Sequence, residues 1–161
     1  GEKDMTPIEW ATLPLKKYLD FSGRSPRNEF WFFVLLSVVV GVVANTIDGT
    51  IGLTGLVGGL YGPLGFVTGL VLLLPGIAVG IRRLHDTNRS GWWMLLAIVP
   101  NLLSTLLFIT GSYAMTGMIG FIAMLGGIAL LVLMVLEGTK GPNQYGPDPL
   151  EGERASEPGT V

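Results

Sequence analysis

The chain has 161 residues, of which only 14% are charged and 49% are apolar, with a formal net charge of −2. Soluble domains carry about one-quarter charged residues, so the deficit points to a membrane protein, and the balance of charge excludes a nucleic-acid partner. There is no cysteine and one histidine, which excludes disulfides, thiol catalysis, cysteine-ligated zinc or iron–sulfur sites and any single-chain multi-histidine metal site; no cofactor or metal is expected.

Gly1-Glu2-Lys3-Asp4 precede Met5, which is read as the natural start. Residues 8 to 21 mix aromatics, leucines and lysines. They admit two readings, a short helix on the membrane surface with Pro14 breaking or starting it, or a loosely packed leader. Ser25-Pro26 reads as a helix start, with Ser25 as N-cap and Pro26 in the first turn, and Glu29 suits the positive end of the dipole. An uncharged run from Phe30 to Ile47 comes next, and Phe30-Trp31-Phe32-Phe33 is placed as an interfacial aromatic belt. The first helix is therefore expected over about 26–47. Its apolar run of 18 residues spans roughly 27 Å and is expected to be retained, because no cleavage site is evident.

Residues 49 to 81 carry no charge. The glycine-rich connection from Asp48 to about Pro63 is compatible with an outer loop, a re-entrant piece or an early helix start. A second helix is expected over about 64–81. On it Gly65, Gly69, Gly76 and Gly80 share one face, which predicts a close helix-packing seam. Pro75 should kink this helix and release the carbonyl of Val71.

Arg82-Arg83-Leu84-His85-Asp86-Thr87-Asn88-Arg89-Ser90-Gly91-Trp92-Trp93 is then a polar knot between charge-free runs, read as a tight turn. Ser90 is the expected cap of a third helix over about 92–110, with Pro100 and Asn101 near its middle. Gly111 to Gly117 form an uncharged turn, and a fourth helix is expected over about 118–136. Residues 138–161 form the tail, expected to be disordered after about 150.

All ten lysines and arginines fall in the first segment, the middle turn or the tail, and none in the other two connections. By the positive-inside rule residues 1–25, 82–91 and 138–161 face the cytoplasm. The fold expected is all-α: a polytopic membrane protein with a transmembrane domain of four helices over 26–137 and both termini cytoplasmic.

Three motifs share that face: Gly23-Arg24-Ser25-Pro26-Arg27-Asn28-Glu29-Phe30-Trp31, the Arg82–Trp93 stretch, and Tyr145-Gly146-Pro147-Asp148-Pro149. In this order they resemble the bacterial inner-membrane family known as domain of unknown function 805, over roughly Trp10 to Pro149. The resemblance implies a small four-helix protein of the cytoplasmic membrane and brings no catalytic roles.

Arg24, Arg27, Arg82, Arg83, His85, Asp86 and Arg89 are the candidate residues for binding a phosphate ligand or anionic headgroup, since five arginines face three acids there. Glu29 and Glu137 are expected in structural ion pairs, Glu137 because an acid at a helix C-terminus opposes the dipole. An enzyme would use His85 as base, yet no fingerprint of nucleophile, zinc or phosphate-loop chemistry accompanies it. The expectation is a non-catalytic structural or binding protein, with membrane lipids as partners and room for a second copy or a membrane-protein partner. The alternative is a small oligomeric transporter or channel using the Pro75 and Pro100 kinks, with Asn101 at mid-membrane. Against it, no ionisable residue lies within a span.

Overall fold

A computed structural model describes residues 5–57 and 61–154. Among these residues six α-helices succeed one another: α1 Pro7–Lys16, α2 Arg27–Thr50, α3 Pro63–Asp86, α4 Leu95–Ile109, α5 Tyr113–Val135 and the single turn α6 Glu151–Arg154. A 3₁₀ turn, Gly91–Met94, leads into α4. Among the described residues the only β pairings are two isolated bridges, Val57 with Tyr61 and Asn143 with Gly146. Four stretches are long and apolar enough to cross a membrane: Arg27–Thr50, Pro63–Asp86, Gly91–Ile109 and Tyr113–Val135.

α1 begins with a signal that the sequence carries openly. Thr6 Oγ1 accepts from the Glu9 amide at 3.3 Å, and Glu9 Oε2 accepts from the Thr6 amide at 2.6 Å, a reciprocal capping box ahead of Pro7. Pro14 lies inside the helix rather than at its end, and Trp10, Ala11 and Pro14 are buried as α1 lies along α2 and reaches α3.

α2 starts one residue later than expected, with Pro26 in the cap position and no side-chain cap bond. Ser25 is not the cap. Its amide is drawn to the Arg82 carbonyl at 3.0 Å, which buries the residue and leaves its hydroxyl without a partner among the described residues. At the other end Asp48 is 1% exposed, and its two carboxylate oxygens accept from the Leu64 and Gly65 amides at 3.2 and 2.7 Å. An acid in the last turn of α2 therefore caps α3, whose own N-cap, Gly62, has no side chain to offer. The described part of the connection between them, residues 51–57 and 61–62, contains turns and pairs the amides and carbonyls of Val57 and Tyr61, and residues 58–60 of the glycine-rich stretch lie outside the described residues.

α3 continues through Arg82–Asp86, so the basic cluster is the last helical turn and not a turn between helices. Its end is a Schellman motif. Asn88 takes the left-handed conformation (φ 59°), the Arg89 amide reaches Leu84 O at 2.9 Å, and the Asn88 amide reaches His85 O at 2.9 Å. Ser90 does act as a cap, on the 3₁₀ turn, where it accepts from the Trp92 amide at 3.4 Å. α5 starts at Tyr113, earlier than expected, because Gly111 (φ 79°) reverses the chain within a few residues.

The spans form two hairpins, α2 with α3 and α4 with α5. They join through Leu84, Leu130 and Met134, with Phe30, Trp31, Met94, Ala97 and Leu133 around them. The glycine face of α3 is an interrupted seam. A Cβ on Gly65 would collide with the Asn45 side chain and one on Gly80 would press on Met94 at 3.0 Å, whereas one on Gly76 would touch Phe33 at an ordinary 3.7 Å. One on Gly69 would meet nothing within 4 Å, so Gly69 lies outside the seam.

A tighter approach occurs at Gly126, whose Cα backs onto the Leu96 carbonyl so closely that a methyl group there would overlap the oxygen. Leu96 lies four residues before Pro100, so that carbonyl has lost its helical donor, and α5 closes over it. Val71, four residues before Pro75, has the other freed carbonyl, and there the Tyr18 hydroxyl donates to it. Asn101 bonds Ala97 O of its own helix at 2.9 Å rather than a neighbour.

Candidate functional site

The basic residues gather at one end of the bundle, where α3 ends, α2 begins and the chain leaves α5. Arginine side chains on a helix slope toward its N-terminus, so those in the last turn of α3 lean back into the bundle. Arg82 and Arg83 are accordingly 1% and 0% exposed. A guanidinium buried this far must have its charge and donors answered.

Arg82 Nη2 meets Glu29 Oε1 at 2.6 Å, and Nη1 donates to the Asp20 carbonyl. Glu29, from the first turn of α2, is itself 1% exposed. This pair joins α2 to α3 and draws the segment after α1 down onto both. Arg82 Nε and the Ser25 hydroxyl are buried here with no partner among the described residues.

Asp86 is the second centre. It accepts from Arg24 Nε at 3.0 Å and from Arg83 Nη1, so one carboxylate answers two arginines from different segments. Arg83 spends its other donors at the end of α5, with Nε to Met134 O at 3.1 Å and Nη2 to Leu136 O. Arg27 Nε shares Leu136 O at 3.1 Å from the outside of the bundle. The open carbonyls of α5 are thus met directly by arginines. Glu137 is exposed and takes part in none of the three ion pairs found among the described residues.

Arg24 carries the arrangement into the tail. Its Nη1 donates to Gly141 O at 2.7 Å and to Gly146 O at 3.4 Å, and its Nη2 to Thr139 O. Residues 138–149 present carbonyls because Pro142, Pro147 and Pro149 keep them from forming a helix. Asp148 holds the loop in shape, accepting from the Gly141 and Leu150 amides at 3.0 Å each. The Thr139 amide donates to Asp86 O at 2.8 Å, and Gly138 passes so near the Asp86 carboxylate that any side chain would displace it. Asp20, outside the spans, is held below the ordinary carboxylate range by the hydroxyl and amide of Ser22.

His85 does not pair with Asp86. Its Nδ1 lies 3.1 Å from Gly23 O, and its ring stacks on Tyr145 with centroids 3.9 Å apart and planes 2° from parallel. Because a carbonyl only accepts, Nδ1 carries the proton, and a neutral ring then presents Nε2 as an acceptor. Asn143 Nδ2 closes the group with a bond to His85 O at 2.9 Å. Arg89 stands apart: its one side-chain hydrogen bond among the described residues is Nη1 to Thr87 O at 3.2 Å.

Of the seven candidate ligand-binding residues, then, Arg24, Arg82, Arg83 and Asp86 are consumed in internal contacts. His85 is engaged through one nitrogen, and Arg27 and Arg89 keep donors for other partners. Reading by residue type did not find Asp48, Asn143, Tyr145, Asp148 or the tail carbonyls. The signal for the last was present: a proline- and glycine-broken segment must find donors for its backbone, and surplus arginines are donors.

The family model described as "Protein of unknown function (DUF805)" matches residues 18–147. The chain is 37% identical over 145 residues to inner membrane protein YhaI of Escherichia coli K12, covering 88% of this chain and 96% of that protein. It is 32% identical over 142 residues to inner membrane protein YhaH of the same organism, covering 88% and 97%. The uncharacterized protein YiiR, also from that strain, is 31% identical over 136 residues, covering 80% and 84%. No solved structure matches the chain. Four membrane-capable helices and these inner-membrane relatives make it a multi-pass protein of the inner membrane. With a match over most of its length and relatives covered almost end to end, the chain belongs to the DUF805 family of proteins of unknown function.

Proposed function

We propose that the protein is a non-catalytic scaffold of the inner membrane. In this reading its basic end faces the cytoplasm and fixes both terminal segments as one rigid cap over the four spans. One observation carries it: Arg24 lies buried between Asp86 of α3 and the carbonyls of Thr139, Gly141 and Gly146. A side chain used this way joins segments and has nothing left for a substrate. The cap offers partners a fixed polar surface, and Arg27 and Arg89 are its arginines suited to anionic headgroups. The transport alternative gains no support from the kinks, since Tyr18 and Gly126 close over the carbonyls that Pro75 and Pro100 free.

Arg24→Met tests the scaffold. In inside-out membrane vesicles, trypsin should cleave after Lys140 faster in the variant than in the parent, with all four spans still inserted. Equal cleavage rates would overturn the role given to Arg24. Orientation is tested by single cysteines at Thr50, Asn88, Ser112 and Ser156 in intact cells. An impermeant thiol reagent should reach only Thr50→Cys and Ser112→Cys, and labelling at Asn88 or Ser156 would reverse the assignment.

A further inference from the structure

α4 is the least enclosed of the four spans: none of its side chains is buried, whereas the other three each bury several. α5 takes one side of it, where Ser104 Oγ donates to Thr116 O at 3.3 Å and the Leu96 carbonyl backs onto Gly126. The 3₁₀ turn ahead of it rests on α3 through Met94 and Gly80. Beyond Ile98 a further side is exposed. Asn101, Leu102, Thr105 and Ile109 lie there at three- and four-residue steps, within an arc of roughly 100°.

Asn101 sets this side apart from an ordinary lipid-facing surface. It lies ten residues from one end of its span and eight from the other, at mid-membrane depth. A carboxamide has two N–H donors and an oxygen that accepts twice. Among the described residues the one side-chain hydrogen bond of Asn101 is Nδ2 to Ala97 O at 2.9 Å. Its second N–H and its Oδ1 have no partner there, at a depth where acyl chains offer neither donor nor acceptor. Thr105 makes no such demand, because its hydroxyl donates to Asn101 O at 2.9 Å. Asn45, also exposed, lies five residues from the end of α2 and so close to headgroups and water.

We propose that a second copy of the chain covers this side of α4. The dimer is two-fold, α4 packs on α4, and the free N–H of one Asn101 donates to Oδ1 of the other.

Topology and hydrogen bonding together select that occupant. Two copies inserted the same way run their α4 helices parallel, so Asn101 meets Asn101 at one depth. Each then carries the group that the other lacks, which is the self-complementarity a two-fold contact needs. A lipid chain can answer neither group. Thr105, one turn further along the same side, is small enough to let the two helices approach.

This contact uses none of the bonds that hold the cap. A monomer with a docked tail would overturn the dimer alone, and a dimer with a loose tail would overturn the scaffold alone. The chain has no cysteine, so single cysteines report contact without background. In inner-membrane vesicles oxidised with copper phenanthroline, Thr105→Cys should form a disulfide-linked dimer. Leu103→Cys, exposed but about 160° away around α4, should not. Affinity is read on the purified full chain in vesicles of phosphatidylethanolamine and phosphatidylglycerol. The signal is energy transfer between donor- and acceptor-labelled Ser112→Cys as the protein-to-lipid ratio is lowered. Asn101→Leu in that background should raise the dissociation constant by about tenfold, the worth of one interhelical hydrogen bond. Its diluted monomer should melt no lower than the parent's, since leucine suits lipid. Asn101→Gln keeps the amide and should hold together at lower ratios than Asn101→Leu. Transfer in Asn101→Leu equal to the parent's at every ratio would overturn the proposal, as would a monomeric parent or equal cross-linking at positions 103 and 105. If Asn101→Leu fails to fold, the paired cysteine variants decide alone.

Discussion

Asp86→Asn isolates the centre of the cap. Arg83 is 0% exposed and Arg24 is 7% exposed, and the change leaves both beside a neutral amide. Removing one partner of a buried ion pair costs about 3–5 kcal/mol. Here the value should lie near the lower limit, because each arginine keeps carbonyl partners: Met134 and Leu136 for Arg83, and Thr139, Gly141 and Gly146 for Arg24. A loss of about 3 kcal/mol in a chain of this length lowers the melting temperature by roughly 6–12 °C. The assay is thermal unfolding of the detergent-solubilised protein, followed by tryptophan emission. Adding Arg83→Met removes one of the two stranded charges and should recover part of the loss, so the double variant should melt above Asp86→Asn. If Asp86→Asn melts with the parent, or Arg83→Met only adds to its loss, Asp86 is not the counter-charge that holds the cap.

Ser25→Ala gives opposite signs for two roles: loss of an N-cap would cost about 1 kcal/mol, whereas removing a buried hydroxyl without a partner should stabilise by about 1 kcal/mol. The structure predicts the gain, read as a higher melting temperature. Gly126→Ala should destabilise by about 1–3 kcal/mol, because its methyl group falls on the Leu96 carbonyl. Gly69→Ala, with open space, should gain about 0.5–1 kcal/mol of helix propensity; equal melting of the two variants would refute the close approach of α4 and α5. Glu9 is held below its ordinary 4.5 by the amide and then the hydroxyl of Thr6, so its contribution is whole above pH 4.5 and disappears as the pH falls through the lower folded value. Amide exchange within α1 should accelerate over that fall in the parent, and Glu9→Gln should flatten the response.

The four spans were legible because a charge-free apolar run of about 20 residues is a stable helix chiefly where lipid surrounds it. Their limits were less so. A run of Arg, Arg, His and Asp looks like the end of a span, yet α3 continues through it because those side chains find carbonyls and carboxylates instead of water. The capping box at Thr6–Glu9 lay within reach of sequence reading, since the Thr-x-x-Glu spacing itself specifies the two bonds. Location alone put the basic residues and Glu29 in one layer. It could not pair Arg24 with Asp86, 62 positions away, or with carbonyls that exist as acceptors only once the tail has folded. The glycine face shows a related limit. Helical periodicity predicts which residues share a side, and only the neighbouring helix decides whether that side is touched.

The bonds from Arg24 to the tail span 115 to 122 residues of sequence. At 5–20 residues per second Arg24 waits roughly 6–24 s for Gly146 to be synthesised. By then the codons for all four spans have been read, so assembly has an order imposed by the chain itself: closure of the cap waits for translation of the last polar segment. A chain truncated before Thr139 would carry all four spans with Arg24 and Asp86 lacking the tail. For a protease surveying the membrane, that half-made state is distinguishable from the finished one at its N-terminal end, more than a hundred residues from the missing part.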